Sequence, residues 1–251
     1  PPQRQHDADD AGDHAHGALR RGAFLACCLG LAVVFGALGV WQLDRLGARR
    51  AASATAQTQR NLPAVDARTL HDSAGNRRAY ATGRYDFDRE IVLRGRGRDG
   101  VPGVEVVTPL LLTGSDTAVL VLRGYVPSAD AISYDVTIHR EPDSGTVSGV
   151  AMAVPIDSVG AAPAERGGAV TWRRLDLGTL RNHLPYPLAP VYIIADSPAT
   201  TSPAPRRSSP PALDDGPHLN YAIQWFAFAA IAFGGAAALW WSRRRGAPAI
   251  P

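Results

Sequence analysis

Lysine is absent from the 251 residues; all 26 basic side chains are arginine. That excludes Schiff-base chemistry and phosphate loops of the Walker type, which need an ε-amino group. Cysteine and methionine are nearly as scarce, at two and one. Such counts exclude a disulfide scaffold, a cysteine-rich zinc module and a methionine-rich copper carrier. No GxSxG, HExxH or CxxC pattern occurs, so hydrolase, zincin and thioredoxin-like readings lose their usual support. The net charge is only +3 and 45% of the residues are hydrophobic. The chain is too weakly basic for a dedicated nucleic-acid binder, and too apolar for a disordered polypeptide.

What the chain does have is two long apolar runs. Ala23 to Leu43 contains no charged residue and, at about 1.5 Å per residue, measures about 31 Å, matching a hydrocarbon core of about 30 Å. Tyr221 to Trp241 is a second run of the same length. Trp41, Trp225, Trp240 and Trp241 lie toward the run ends, where aromatic rings suit the membrane interface. The first run has two competing readings. One is a signal peptide cleaved near Ala37-Leu38-Gly39; the other is a lipoprotein signal acylated at Cys27 or Cys28. Against cleavage, the run continues through Val40 and Trp41 to full spanning length. Against acylation, Cys27 stands at its start. The two cysteines then read as small helix-packing residues.

Basic residues set the expected orientation. Arg20 and Arg21 precede the first run, and Arg243, Arg244 and Arg245 follow the second, so both termini read as cytoplasmic and the intervening domain as extracytoplasmic. Arg45, Arg49 and Arg50 oppose this, but they belong to a long segment, and long segments translocate largely regardless of charge. In a bacterium the location is the inner (plasma) membrane. The expected organisation is a disordered tail over 1–21, spans over 22–43 and 218–241, a β-rich domain over 44–196, a Pro-rich tether over 197–217 and a basic tail over 242–251. His14 and His16 form an HxH pair in the tail, where solvation outweighs metal binding.

The middle domain reads as strands. Runs rich in β-branched residues, bounded by Gly or Pro, recur at 90–94, 104–112, 118–123, 146–154 and 191–195, as expected of a small antiparallel barrel or sandwich. Pro109 inside the second run suggests a bulge or an edge. One helix is predicted from Asp176 to His183, capped by Asp176, and 44–60 is expected to prolong the first apolar helix into water. Gly95, Gly97 and Gly100 spell GxGxxG, but Val101-Pro102-Gly103 and another strand follow where a dinucleotide site needs a helix, so a hairpin is predicted. Arg94, Arg96 and Arg98 around it read as a solvated loop, or alternatively as contacts for lipid phosphate or a carboxylate.

His218 stands three positions before the second run. In a helix starting there, His218, Tyr221, Ala222 and Trp225 share one face; Trp41, Gln42 and Arg45 form a similar face at the outer end of the first helix. Small residues Gly36, Ala37, Gly39, Ala229, Gly234 and Gly235 are expected to let the helices pack closely. A neutral imidazole can ligate haem iron, a macrocycle stacks on aromatics, and arginine pairs with propionates. The plainer alternatives are a histidine bonded to lipid headgroups and an Arg45 that snorkels.

Taken in order, these pieces resemble the surfeit-locus-one (Shy-one-like) family of cytochrome c oxidase assembly factors. Gly39-Val40-Trp41-Gln42-Leu43-Asp44-Arg45 is similar to the family's opening run, and His218-Leu219-Asn220-Tyr221-Ala222-Ile223-Gln224-Trp225-Phe226 to its closing run. Between them fall Gly83 to Asp86, Val92-Leu93-Arg94, Val106 to Leu110, Arg123-Gly124-Tyr125-Val126-Pro127, and Trp172-Arg173-Arg174-Leu175-Asp176. The resemblance implies a respiratory-chain chaperone that assists placement of haem a in the oxidase catalytic subunit. Haem a is then a transient cargo, and the catalytic subunit, haem a synthase and membrane lipid are the expected partners. It further implies His218 as the haem-iron ligand, with Tyr221, Gln224, Trp225, Trp41, Gln42 and Arg45 around it, and no catalytic residue. Two other classes stay open: a membrane scaffold for oxidase subunits that binds no haem, and a membrane enzyme with an unrecognised site.

Overall fold

The computed structural model describes residues 3–71, 75–135, 140–156, 162–166, 169–196 and 205–245. The side chains of the first 21 residues, including His14 and His16, lie outside the described residues, as do residues 197–204 and 246–251 of the tether and basic tail. The chain divides into two compact units, one of residues 1–53 with 214–251 and one of residues 54–213.

The first unit consists of two helices. Helix α1 runs Gln3–Asn61 and so begins within the segment whose sequence has no hydrophobic period; it also continues past the apolar run, as the Ala- and Arg-rich 44–60 stretch leads one to expect. Helix α3 (helix α2 belongs to the other unit) runs His218–Arg245. Both contain stretches long and apolar enough to cross a membrane. Their large apolar side chains, Phe24, Val33, Ile231 and Phe233 among them, point outward and stay exposed, unlike those of a core helix in a soluble protein.

A narrow seam turns inward. On α1 the seam runs through Leu25, Cys28, Ala32, Phe35, Gly39, Gln42 and Leu46, with Gly36 and Leu38 half-buried beside it; on α3 it runs through His218, Ala222, Trp225, Ala229, Ala232, Ala236 and Leu239. Steps of three and four alternate without a break, the 3.5-residue period of a left-handed helix pair. Gly39 permits the closest approach, since a Cβ there would sit 2.6 Å from the Phe226 ring. The expected small-residue set is thereby corrected. Ala37, Gly234 and Gly235 face outward and Gly36 has open space, while Ala222, Ala232 and Ala236 take the inner positions. The reason is phase: adjacent residues point about 100° apart on a helix, so Ala37, Gly234 and Gly235 are turned off the seam, while Gly36 is half-buried at its edge.

The second unit is a mixed sheet rather than a wholly antiparallel one. Its strands are β1 Val65–Asp66, β2 Arg77–Tyr85, β3 Ile91–Arg98, β4 Val101–Leu112, β5 Ala118–Pro127, β6 Ser144–Ala153, β7 Ala164–Arg166, β8 Ala169–Trp172 and β9 Leu188–Ala195. Helix α2, Leu177–His183, starts where expected, with the Asp176 carboxylate accepting from Thr179 N–H. Neighbours run β2-β6-β9-β5-β4, and β4 pairs again with β2, closing a five-stranded barrel. The strands β3, β8 and β7 extend from β4. The correction to mixed topology comes from three parallel pairings, β1 with β2, β3 with β8 and β5 with β9. Alternation within a strand does not reveal a neighbour's direction, so the sequence carried no signal for them.

Strand β5 is buried from Ala118 to Val126. Val119 and Val121 point into one core with Leu110, Val191 and Ile193. Leu120 and Leu122 point into the other with Trp172, Leu175 and Leu180 of the β8–α2 layer. Being covered on both faces explains why its sequence is a continuous apolar run. Pro109 is not at a bulge. It lies where β4 exchanges one neighbour for another, between Val107 opposite Ile91 of β3 and Leu110 opposite Tyr85 of β2, so no ladder bond is lost to its missing N–H. The GxGxxG segment is the expected hairpin, with Asp99 and Gly100 both at positive φ, +54° and +78°, the signature of a tight primed turn.

Candidate functional site

Two constellations of polar groups stand out, one in each unit. In the helical unit His218 Nδ1 lies 3.0 Å from Gln42 Oε1. The amide oxygen is an acceptor, so Nδ1 is the donor in this contact, and in the neutral ring Nε2 is then the nitrogen with the lone pair. Gly216, at φ +64°, lies on the other side of the ring, and even an added Cβ would stop 3.6 Å from Cδ2 and 3.9 Å from Nε2. An imidazole fixed through one nitrogen, with the other unencumbered, is the arrangement found in metal-ligating histidines. Below it Trp225 stacks on Phe35 with ring centroids 5.6 Å apart, and Phe228 closes on both. The Arg45 guanidinium lies 5.6 Å from the centroid of the Trp41 ring.

The seven residues singled out from sequence therefore separate. His218, Gln42 and Trp225 share the inner seam. Trp41 and Arg45 form a flanking pair, with Trp41 half exposed, and Tyr221 and Gln224 face outward. Phe35 and Gly216 were not anticipated: an aromatic deep in an apolar run looks like any spanning residue, and Gly216 looked like linker. Just beyond the seam, Arg49 pairs with Asp214 at 3.4 Å and Arg50 with Asp215 at 2.6 Å. These exposed pairs add little stability but neutralise charges that weighed against the expected orientation.

In the barrel unit the centre is Arg123. Val106 faces Gly124 whereas Val107 faces Leu122, so Arg123 is the extra residue of a bulge, and the bulge turns its side chain inward. It is fully buried. Its guanidinium donates to Glu90 at 2.7 Å and to Glu141 at 2.9 Å, and Phe87 lies 5.0 Å away. Thr108 donates to the same Glu90 oxygen. Burial pushes the Glu90 carboxyl upward, against the pull of Arg123 and Thr108. Burial also raises the Tyr85 hydroxyl to about 12. For Glu141 burial acts in the same upward direction, but hydrogen bonds from Arg207 and Arg123 outweigh it and hold the carboxyl below its ordinary 4.5. A group held low contributes stability above its unfolded pKa and loses it as pH falls. Glu141→Gln should thus lower the denaturation midpoint at pH 7, and the gap from wild type should close as pH drops below 4.5, measured by thermal melts across pH.

Arg207 comes from the second half of the Pro-rich segment. Residues 205–213 belong to the barrel unit, where Arg206 exchanges backbone hydrogen bonds of 2.8 Å with Tyr125, and Arg207 donates to Glu141 at 2.5 Å and to the Arg123 carbonyl at 2.7 Å. Gly124 makes room for this strap: φ is +143°, and a Cβ would lie 2.3 Å from the Arg206 oxygen. Gly124→Ala is expected to lift the strap, with a cost of about 1–3 kcal/mol for the strained backbone. Trypsin cleavage after Arg206 and Arg207 should accelerate at least tenfold. The sequence showed the Arg123-Gly124 element but gave no hint of its distant carboxylates. Arg94, Arg96 and Arg98 are not a solvated loop either. They donate to the Thr171 carbonyl at 2.8 Å, Glu105 at 3.1 Å and the Arg207 carbonyl at 2.8 Å, because the β3–β4 hairpin packs under β8 and the strap.

Among the described residues no cluster of three metal-ligating side chains occurs. A closed barrel joined in sequence to two long apolar helices, with an oriented histidine on one of them, defines the class: a two-helix barrel protein. The SURF1 family model matches residues 29–230. A SURF1-like protein of Rickettsia felis is 29% identical over 198 residues, covering 76% of this chain and 85% of that one. An uncharacterised SURF1-like protein of Mycobacterium bovis is 29% identical over 208 residues, covering 79% and 74%. The chain belongs to the SURF1 family, a family of oxidase assembly factors rather than a known family of enzymes.

Proposed function

We propose that this chain assists the placement of haem a in the catalytic subunit of cytochrome c oxidase, holding the haem transiently at His218. The observation that carries the reading is the His218–Gln42 contact, which orients one ring nitrogen and leaves the other available. The residues fit such a cargo. Nε2 supplies an iron ligand, Trp225 and Phe35 an aromatic wall, and Arg45 a partner for a propionate. When bound, haem supplies the iron that accepts the imidazole; the chain's own task is to orient His218, shield one face and release the cargo, with no bond-making step. The proposed placement is in the inner membrane with both termini cytoplasmic and the barrel outside. The exposed apolar surfaces of α1 and α3 support it, as do the basic residues beyond both runs.

The test is replacement of the chromosomal gene by a His218→Ala copy. The reading expects normal membrane levels of the variant with loss of the a-type oxidase spectrum. An unchanged spectrum would favour a scaffold that needs no haem contact. Reporter fusions in the strap and at Pro251 test the orientation, the strap fusion being expected to report outside and the other inside.

A further inference from the structure

On the β3 side of the barrel unit, a cavity of about 700 Å³ is lined by Arg94, Arg96, Arg173 and Arg174, with the Asp130–Ile132 loop as its remaining wall. A second cavity, of about 360 Å³, is lined mainly by Leu93, Val107, Leu122, Pro155 and Leu175, with Tyr192 and the Arg96-paired Glu105 also on its wall. Arg96 and Arg174 line both. Both volumes fall within the range of ligand pockets, about 300–1,000 Å³. We propose that the pair forms one binding site for a lipid phosphate, with the phosphate held by the arginines and the alkyl chain in the apolar slot.

The charge argument turns on which guanidinium groups are already engaged. Arg96 is paired with Glu105 at 3.1 Å. Arg94 donates through one terminal nitrogen to Thr171, which leaves its other donors. Among the described residues, no carboxylate stands within 4.0 Å of Arg94, Arg173 or Arg174. Asp130 is occupied in its own turn, accepting from the backbone N–H groups of Ile132 and Ser133 and from the Ser128 hydroxyl. Four guanidinium groups thus meet two carboxylates, and the balance stays positive. Forked guanidinium donors suit a phosphate, which offers three terminal oxygens. A free phosphate would use only the first cavity. The adjoining slot, with two arginines on the shared wall, selects a phosphate that carries an apolar chain, since burying each methylene adds affinity. Arg173 and Arg174 lie in the Trp-Arg-Arg-Leu-Asp element quoted above, which the haem reading leaves without a role.

The experiment uses the full chain in micelles of dodecyl maltoside, which carries no phosphate, with empty micelles as the blank. Hexyl phosphate, inorganic phosphate and hexanol are titrated by calorimetry. Hexyl phosphate should bind at least tenfold more tightly than inorganic phosphate, and hexanol should give no saturable heat. The double variant Arg173→Gln/Arg174→Gln should weaken hexyl phosphate at least tenfold, with an unchanged melting curve showing that the barrel is folded. His218→Ala should leave the titration unchanged, so this site and the haem reading can fail separately. Equal affinity for hexyl and inorganic phosphate would show a free-phosphate site and overturn the proposal. So would an unchanged affinity in the folded double variant.

Discussion

Arg123→Met should destabilise the barrel unit by about 3–5 kcal/mol, the usual cost of removing one partner from a buried ion pair. Met approximates the stem of arginine but leaves Glu90 and Glu141 facing each other's charge without the cation between them. Thr108 still donates to Glu90, and Arg207 still pairs with Glu141. The loss should be shared unequally, because Glu90 is 98% shielded at its side chain and its carboxyl is already pushed upward by burial. It should take up a proton on removal of Arg123, whereas Glu141 should stay ionised against Arg207. Thermal or denaturant unfolding of the full chain measures the effect. A companion variant, Arg123→Met with Glu90→Gln, should recover part of the loss, since the worst uncompensated charge is then gone. A loss below 1 kcal/mol would mean that the bulge, rather than the ion pairs, fixes this corner.

How much of this was legible depends on the distance over which each signal acts. The helices announced themselves through local composition, and α2 through its Asp176 cap. Five of the strands appeared as β-branched runs, and the Asp99-Gly100 turn was recognisable because the following segment breaks every helical requirement. Strand β2, by contrast, is Arg77–Tyr85, with Arg, Gly and Ala among its residues; it is a strand because β6 and β4 flank it. The barrel's closure rests on the second pairing of β4, which no local pattern encodes. His218 and Gln42 were each visible as polar residues at run ends, but only the 3.5-residue seam brings them together across 176 positions. The same seam turned Tyr221 and Gln224 outward although they lie within one turn of the site. The Arg123 network was hidden for a related reason. Its members stand at 90, 108, 123, 141 and 207, and only an inward bulge makes a charged residue in an apolar strand read as core.

His218→Ala should abolish haem a binding by the purified chain, and Gln42→Leu should weaken it by about 10–100-fold, the usual cost of removing a group that orients a metal-ligating histidine. The order of the two effects matters more than their size. His218 supplies the ligand atom itself, whereas Gln42 acts as a positioning residue: without it the ring can rotate or take the other tautomer, yet Nε2 remains. Neither change touches the aromatic contacts of Trp225 or the apolar outer faces of the helices, so membrane insertion should be intact. Gln42→Glu, which keeps an acceptor at the same reach, should restore most of the affinity. If His218→Ala and Gln42→Leu lose haem equally with loss of membrane protein, the seam is structural and the oriented histidine has no ligand role.

The measurement that tests the central claim most directly is the absorption spectrum of the full chain purified from a host that makes haem a. The wild-type chain, His218→Ala, and His183→Ala as a barrel control should be compared at equal protein. The expected result is a haem a band in the wild type and in His183→Ala, lost in His218→Ala, with an axial-ligand signature of histidine. A band of equal intensity in all three, or none in the wild type at saturating haem a, would contradict the account.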